Sequence, residues 1–177
     1  HYPLRRQRQM CIRDRYKLAQ ALLENVPNYF KAYAAIGTIA DLVSLTDENR
    51  SIVQHGLKVM NDSCPVAVKA LLKQAGYNDD ITEETIGFII GPRLNAVGRL
   101  EDASLAAELL MSDSEDEAEF LAEQVEHFNQ ERKDIVAHIT EEALAIAKDY
   151  VSQGHQFLLL AKEDWHEGVL GLSLIHI

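Results

Sequence analysis

The stretch GPRLNAVGRL, from Gly91 to Leu100, places three strong hydrogen-bonding side chains, those of Arg93, Asn95 and Arg99, among small and apolar residues. The planar guanidinium group of arginine matches the oxygens of a phosphate, and a glycine lets a backbone N–H approach the same anion. If one helix continues through Gly98, Asn95 and Arg99 lie on one face while Arg93 points elsewhere. If the helix breaks there, all three side chains can converge. The residue types therefore indicate an anion-binding site.

A structural role fits the same stretch equally well. It would then be a helix end whose arginines form ion pairs with nearby acids, namely Glu101, Asp102 or Glu108. The residues alone leave both interpretations open.

A second candidate is Asp41, in the stretch GTIADLVSLTDENR. The spacing of apolar residues predicts an alanine-rich helix that begins near Tyr29 and ends near Leu45, with Asp41 as its only acidic residue. A buried lone carboxylate is costly, so it needs an ionic partner or a metal ion. The alternative is that Asp41 caps the helix end or forms a local salt bridge. One aspartate does not make a metal site, so a metal would need further ligands.

The third candidate is the stretch DWHEGVLG, in which His166 and Gly168 follow Trp165. The apolar run at residues 157–161 predicts a buried strand, followed by a turn and the start of a helix. Open α/β sheets bind ligands at loops that follow strands and precede helices, so His166 is well placed to contact a ligand. The alternative is a surface loop in which Trp165 packs inward and His166 is solvated.

Helical periodicity dominates the chain from Tyr16 onward. Gly76 is predicted to end one helix, and Thr82 to cap the next, which runs into GPRLNAVGRL. The stretch SEDE, residues 114–117, matches a capping box, and apolar residues then recur every three or four positions until about Tyr150. We therefore predict a mostly α-helical chain with one long amphipathic helix that connects two domains.

The composition limits the class of protein. With 177 residues, 47% of them hydrophobic, the chain can form one ordinary domain or pieces of two. Its apolar runs are much shorter than the roughly 20 residues of a membrane span, so we expect no membrane partner. Cys11 and Cys64 form neither a disulfide framework nor a zinc pattern, which predicts a reducing, cytoplasmic setting.

Charge is unevenly distributed along the chain. The formal charge is −11, but residues 1–15 contain five arginines and one aspartate, so they carry +4 and residues 16–177 carry −15. This acidic balance argues against nonspecific nucleic-acid binding, which needs clustered lysine and arginine. Residues 1–15 lack the apolar segment of a signal peptide. They and residues 173–177 look like translated adapter sequence, so we expect both ends to be non-native; a basic nucleic-acid-binding arm is the alternative for residues 1–15.

Together and in this order, the three stretches resemble motifs of the RecJ-type single-strand-specific DNA exonucleases of the DHH phosphoesterase superfamily. GTIADLVSLTDENR is similar to the family's fourth motif, GPRLNAVGRL to its arginine–asparagine motif, and DWHEGVLG to the Trp-His loop that opens the DHHA1 domain. The resemblance covers about residues 16–172. It implies that residues 16–112 form the C-terminal part of a DHH α/β domain, residues 113–150 the connector helix, and residues 151–172 the start of an α/β DHHA1 domain with its first strand.

The resemblance also implies roles for individual residues. Asp41 matches an aspartate that helps to hold Mn²⁺ or Mg²⁺ in a two-metal site. The residues that match positions facing the nucleic-acid cleft are Arg93, Asn95, Arg99, His166 and Gly168.

For the whole protein, the resemblance implies 5′ to 3′ hydrolysis of single-stranded DNA in DNA repair and recombination. The implied partners are single-stranded DNA, a single-stranded-DNA-binding protein and a RecQ-type helicase. Ser44 stands where the family usually has proline, Asp164 replaces a common glycine, and the DHH triplet and the early Asp-x-Asp motif are absent from the sequence. We therefore expect these 177 residues to be inactive by themselves. The alternatives are a nucleotide or oligonucleotide phosphodiesterase of the same superfamily and a non-catalytic RecJ-like replication scaffold.

Overall fold

The computed structural model describes residues 16–153 and 157–173, with the side chain of residue 173 left out. Within these ranges the chain forms α-helices and one π-helical turn, and it forms no strand, so the predicted mostly helical fold is confirmed. The helices are α1 (residues 16–22), α2 (Tyr29–Ala40), α3 (Asp47–Asp62), α4 (Val66–Gln74), α5 (Gly91–Leu100), α6 (Ser104–Met111), α7 (Glu115–Ser152) and α8 (Glu167–Ser173), and the π-turn is Thr85–Ile90. No described helix is both long enough and apolar enough to cross a membrane.

The strand predicted for residues 157–161 is wrong. These residues are irregular in the structure, and Phe157 and Leu159 are 92% and 96% exposed. A strand needs a neighbouring strand to satisfy its backbone hydrogen bonds, and the described part of the chain contains none. An apolar run in the sequence therefore indicates a tendency to form a strand, but it does not show whether a neighbouring strand is available.

Helix α7 organises the packing of the fold, since α4, α5, α6 and α8 all contact it. The helix contains 38 residues, which confirms the long amphipathic helix predicted from the sequence. At its start, the Oγ atom of Ser114 accepts a hydrogen bond from the backbone N–H of Glu117 at 3.4 Å, as the capping pattern predicts. Its buried face includes Leu121, Val125 and Ile139. That α7 connects two domains stays a prediction.

Helices α2 and α3 form a close pair. A Cβ atom added to Gly56 would lie 2.4 Å from the Cβ atom of Ala35 and 2.6 Å from the carbonyl oxygen of Lys31. Such distances are far below van der Waals contact, so glycine is required where the two helices cross. Ala35 and Val53 are buried in the same core as the apolar face of α7.

Helix α2 ends at Ala40 rather than near Leu45, which corrects the predicted boundary. The N–H of Leu42 donates to the carbonyl oxygen of Ile39 at 3.0 Å, and that of Val43 donates to Thr38 at 3.3 Å. These two bonds form a Schellman motif, in which the residue after the cap takes a left-handed conformation. That residue is Leu42, with φ 54°, although a side chain there costs about 1–2 kcal/mol. Asp41 consequently lies at the end of the helix and is exposed, not buried within it.

The boundaries predicted around GPRLNAVGRL agree with the structure. Gly76 has φ 66° just after α4, and the N–H of Thr85 donates to the Oγ1 atom of Thr82 at 3.3 Å. From residue 83 to residue 100 the backbone stays helical, but it widens into a π-turn before Pro92. Proline has no N–H for the preceding turn and its ring crowds that turn, which accounts for the widening at this place.

Candidate nucleic-acid interface

The helix that carries the arginine–asparagine stretch starts beside Asp41. A Cβ atom added to Gly91, the first residue of α5, would lie 3.4 Å from the Cβ atom of Ala40. From there α5 continues through Gly98 without a break, and its last turn lies roughly 12 Å farther along the axis at 1.5 Å per residue. Helix α5 therefore leads from the end of α2 to the region of Arg99.

The carboxylate of Asp41 is exposed, and it has no hydrogen bond or ion pair with any described residue. Its backbone is fixed, because its N–H donates to the carbonyl oxygen of Gly37 at 3.1 Å. Within residues 16–153 and 157–173, no group of three His, Cys, Asp or Glu side chains could hold a metal ion. Asp41 can thus offer a carboxylate ligand of the kind that Mg²⁺ and Mn²⁺ prefer, as one member of a larger ligand set.

Because α5 is continuous, its polar side chains separate into two groups. Asn95 and Arg99 are exposed, whereas the side chain of Arg93 is only 12% exposed. The Nε atom of Arg93 donates to Glu126 on α7 at 2.5 Å, and its Nη1 atom donates to the carbonyl oxygen of Ile89 at 2.8 Å. Arg93 therefore has an acidic partner, as the structural interpretation required, but this partner is not Glu101, Asp102 or Glu108.

Arg99 contacts the third candidate stretch. Its Nη1 atom donates to the carbonyl oxygen of Gly168 at 2.9 Å, across 69 positions of sequence. A Cβ atom added to Gly168 would lie 2.3 Å from the carbonyl oxygen of Arg99, so the two backbones touch. The side chain of His166 is exposed, and its Nδ1 atom lies 3.2 Å from the N–H of Gly168. The fold thus brings Arg99, His166 and Gly168 together, while Asp41 lies near the opposite end of α5.

The loop that carries His166 is also attached to α7. Glu142 accepts hydrogen bonds from the Nζ atom of Lys162 at 2.5 Å and from the Nε1 atom of Trp165 at 2.9 Å. Trp165 is half-buried and His166 is exposed, as expected for a surface loop in which Trp165 packs inward. The same loop also contacts Arg99. Helix α5 and helix α7 therefore hold the loop from two sides.

The attachment through Glu142 should depend on pH. The hydrogen bond from Lys162, and after it that from Trp165, holds the pKa of the Glu142 carboxyl below its usual range. Because the pKa of Glu142 is lower in the folded chain, its ionised carboxylate stabilises the fold. This stabilisation is complete above the ordinary glutamate pKa, roughly 4.3, and is lost as the pH falls through the lowered value. Trp165 is the only tryptophan, so we expect its fluorescence to be constant near neutral pH and to shift to longer wavelength below about pH 4.

The variant Glu142→Gln should show the shifted emission already at neutral pH, with little change on acidification, because the ion pair with Lys162 is lost. Glu141→Gln, an exposed neighbour on α7, is the matched control and should titrate like the unmodified chain. Identical titrations of all three proteins would contradict the role of Glu142.

Sequence reasoning missed a polar network on α7. The Nη2 atom of Arg132 donates to the Oδ1 atom of Asn129 at 3.0 Å, and the Nδ2 atom of Asn129 donates to Glu126 at 3.2 Å. Asn129 is 1% exposed, and Glu126 also binds Arg93, so the network extends from α5 to the middle of α7. The available signal was Arg132 itself, a charged residue at a position where the helical period predicts an apolar one.

Comparisons with known proteins identify relatives of this chain. It is 43% identical over 160 residues to the single-stranded-DNA-specific exonuclease RecJ of Bacillus subtilis, covering 89% of this chain and 20% of the relative. It is 36% identical over 146 residues to RecJ of Escherichia coli, covering 78% of this chain and 25% of that protein. The chain therefore spans about a fifth to a quarter of the length of these curated relatives. No family model matches.

Solved structures show the same relationship. The chain superimposes on RecJ from Thermus thermophilus in complex with Mn²⁺ with a TM-score of 0.77 and 28% identity, covering 91% of this chain and 24% of that one. The Mg²⁺ complex of the same exonuclease gives a TM-score of 0.75 at 27% identity, with 91% of this chain and 25% of the other covered. The helical arrangement around α5 and α7 is therefore one that these proteins share.

Proposed function

Since the chain belongs to the RecJ family of single-stranded-DNA-specific exonucleases, we propose that it supplies one side of the nucleic-acid cleft of a metal-dependent exonuclease. The full-length protein would hydrolyse single-stranded DNA from 5′ to 3′. The 177 residues by themselves would be inactive, because Asp41 is the one candidate metal ligand that the motifs identify. A DNA substrate is consistent with the relatives' activity and with an interface that contains the exposed side chains of Asn95 and Arg99.

The contact between Arg99 and Gly168 is the observation that carries this proposal. It joins the arginine–asparagine stretch to the Trp-His loop, two segments that are far apart in sequence. The exposed side chains of Asn95, Arg99 and His166 are thereby placed on elements that pack against each other. Arginine and asparagine donors on a rigid helix are suited to binding the oxygens of a phosphate backbone. A local site of this kind is compatible with an acidic chain that binds DNA.

Asp41 fits the metal ions present in the related structures, because it offers an exposed carboxylate on a fixed helix end. Such ions, when bound, lower the pKa of a water molecule and neutralise charge on the phosphate. In this division of roles Asp41 holds a metal ion, whereas Asn95 and Arg99 orient the DNA backbone. His166 would contact the same strand from the loop.

The cellular setting belongs to the same proposal. A 5′ to 3′ exonuclease specific for single strands would act in DNA repair and recombination, in the cytoplasm. A helicase of the RecQ type would supply the single strand, and a single-stranded-DNA-binding protein would deliver it.

The role of Arg99 gives a test in the full-length protein. Arg99→Met removes a charge-assisted hydrogen-bond donor that binds substrate in the ground state as well as in the transition state. We expect KM for single-stranded DNA to rise about tenfold with a much smaller change in kcat. Lys58→Met, which removes an exposed positive charge on α3, is the control and should leave both constants unchanged. A normal KM for Arg99→Met would contradict the proposed phosphate contact.

A further inference from the structure

Arg132 is placed differently from an ordinary surface arginine. It lies in the middle of α7 and is half-buried, and Asn129 binds its Nη2 atom. Its Nε atom is buried and has no hydrogen-bond partner among the described residues. An unsatisfied buried donor costs on the order of 1–3 kcal/mol, so its retention calls for a physical reason.

The charges around Arg132 do not balance. Arg93 and Arg132 are joined through Glu126 and Asn129 where α5 packs against α7. Burial lowers the pKa of the Arg132 guanidinium group, the positive charges of Arg99 and then Arg93 lower it further, and Glu126 acts in the opposite direction. Glu126 is the acidic member of their hydrogen-bonded network, and its carboxylate already binds Arg93 and Asn129. The cluster keeps a surplus of positive charge within a strongly acidic chain, and a bound anion would neutralise it.

The orientation of Arg132 is also fixed in advance. Asn129 is almost fully buried and is held by Glu126, so it can set the direction of the guanidinium group. The Nη2 atom of Arg132 donates one hydrogen bond to Asn129, and its Nη1 atom has no hydrogen-bond partner among the described residues. The outer end of the guanidinium group can therefore form the paired hydrogen bonds that bind a phosphate.

We propose that Arg132 is a second phosphate-binding arginine of the cleft, supplied by α7, which binds the backbone of single-stranded DNA together with Arg99. This inference rests on the proposed function, because it assumes that the strand passes Arg99. It gives α7 a role in substrate binding in addition to its role in packing. Asn129 and Glu126 then act as positioning residues, since they hold Arg132 without touching the DNA.

The salt dependence of DNA binding tests the proposal. The full-length protein, Arg132→Met and Arg132→Lys would be titrated with a fluorescent oligothymidylate, without divalent cations so that the strand is not cleaved. Each phosphate contact to a single strand contributes about −0.7 to the slope of log K against log salt between roughly 50 and 200 mM. We expect Arg132→Met to lose about 0.7 of the slope and to bind about fivefold more weakly at low salt.

Two comparisons separate binding from folding. Lys133→Met removes a positive charge at the next, exposed position of α7 and should keep the original slope. Arg132→Lys retains the charge but not the planar guanidinium group, so it should keep the slope and lose affinity about threefold, with an unchanged melting temperature.

Several results would overturn the inference. An unchanged slope for Arg132→Met together with a lower melting temperature would show that Arg132 only supports the fold. If Arg132→Met does not fold, Arg132→Lys decides, since unchanged affinity in that variant contradicts a phosphate contact. A loss of slope in Arg99→Met but not in Arg132→Met removes this inference alone, whereas no loss in either variant removes the proposed function as well.

Discussion

Replacing Asp41 by alanine in the full-length protein should abolish metal-dependent hydrolysis of single-stranded DNA, with kcat lowered at least about a hundredfold. The side chain is exposed and makes no hydrogen bond or ion pair with the described residues, so its loss should leave the melting temperature of the metal-free protein unchanged. Binding of Mn²⁺, measured by calorimetry, should weaken in parallel. A large loss of activity without a loss of stability would distinguish a metal ligand from a structural residue.

The matched control for this experiment is Asp62→Ala. Asp62 is another exposed aspartate, and it is the last residue of α3, so its position resembles that of Asp41 at the end of α2. We expect its replacement to leave both kcat and Mn²⁺ binding unchanged. Near-normal turnover in Asp41→Ala would refute the metal-ligand role. A complete absence of hydrolysis in the unmodified full-length protein would instead favour a non-catalytic scaffold.

The backbone next to Asp41 supports this expectation. Leu42 adopts φ 54° in the Schellman motif that ends α2, and it is 89% exposed, so burial of the leucine side chain does not offset the cost of this conformation. Strained residues of this kind cluster at functional sites, where the strain fixes the direction of a neighbouring group. The tight turn at Leu42 ends α2 immediately after Asp41 and leaves the carboxylate at the surface.

Gly168→Ala should have the second largest effect, because the new Cβ atom would lie 2.3 Å from the carbonyl oxygen of Arg99. That oxygen belongs to the backbone of α5 and cannot rotate away, so the loop and α8 must move. Overpacking of this kind costs roughly 1–3 kcal/mol, and we expect kcat/KM on single-stranded DNA to fall about 10- to 100-fold. In the 177-residue chain, where Trp165 is the only tryptophan, its emission should also change, since the loop carries this residue.

Gly171→Ala is the matched control for Gly168→Ala. Both glycines lie on α8, but a Cβ atom at Gly171 would have no heavy atom within 4 Å. An alanine there should be neutral or should stabilise the helix by about 0.5–1 kcal/mol, because glycine is a poor helix former. Unchanged activity in both variants would show that the contact between Arg99 and Gly168 is unimportant for catalysis.

The features that sequence reasoning predicts correctly are those that depend on local interactions. The start of α7 at Ser114, the cap at Thr82 and the end of α4 before Gly76 each depend on atoms a few residues apart. The repeat of apolar residues every three or four positions along α7 is likewise a property of one segment. Such features follow from sequence because their energies arise within the element itself.

Predictions that depended on distant partners were incomplete or wrong. The strand at residues 157–161 needs a neighbouring strand that the described chain does not supply. The acid that binds Arg93 is 33 positions away on α7, so the nearby acids were the wrong candidates. The apolar pattern predicts Asp41 inside a helix, because no glycine in the sequence indicates the turn at Leu42.

The helical class, the approximate position and length of α7, and the three candidate stretches could all be predicted from the order of the residues. The contacts that these stretches make could be learned only from the folded chain: Arg99 binds the carbonyl oxygen of Gly168, and Arg93 binds Glu126 on α7. Helix periodicity and capping can be predicted because they depend on residues that are close together in the sequence. Charge pairing and backbone contact depend on how helices cross, and that is set by packing of the whole core.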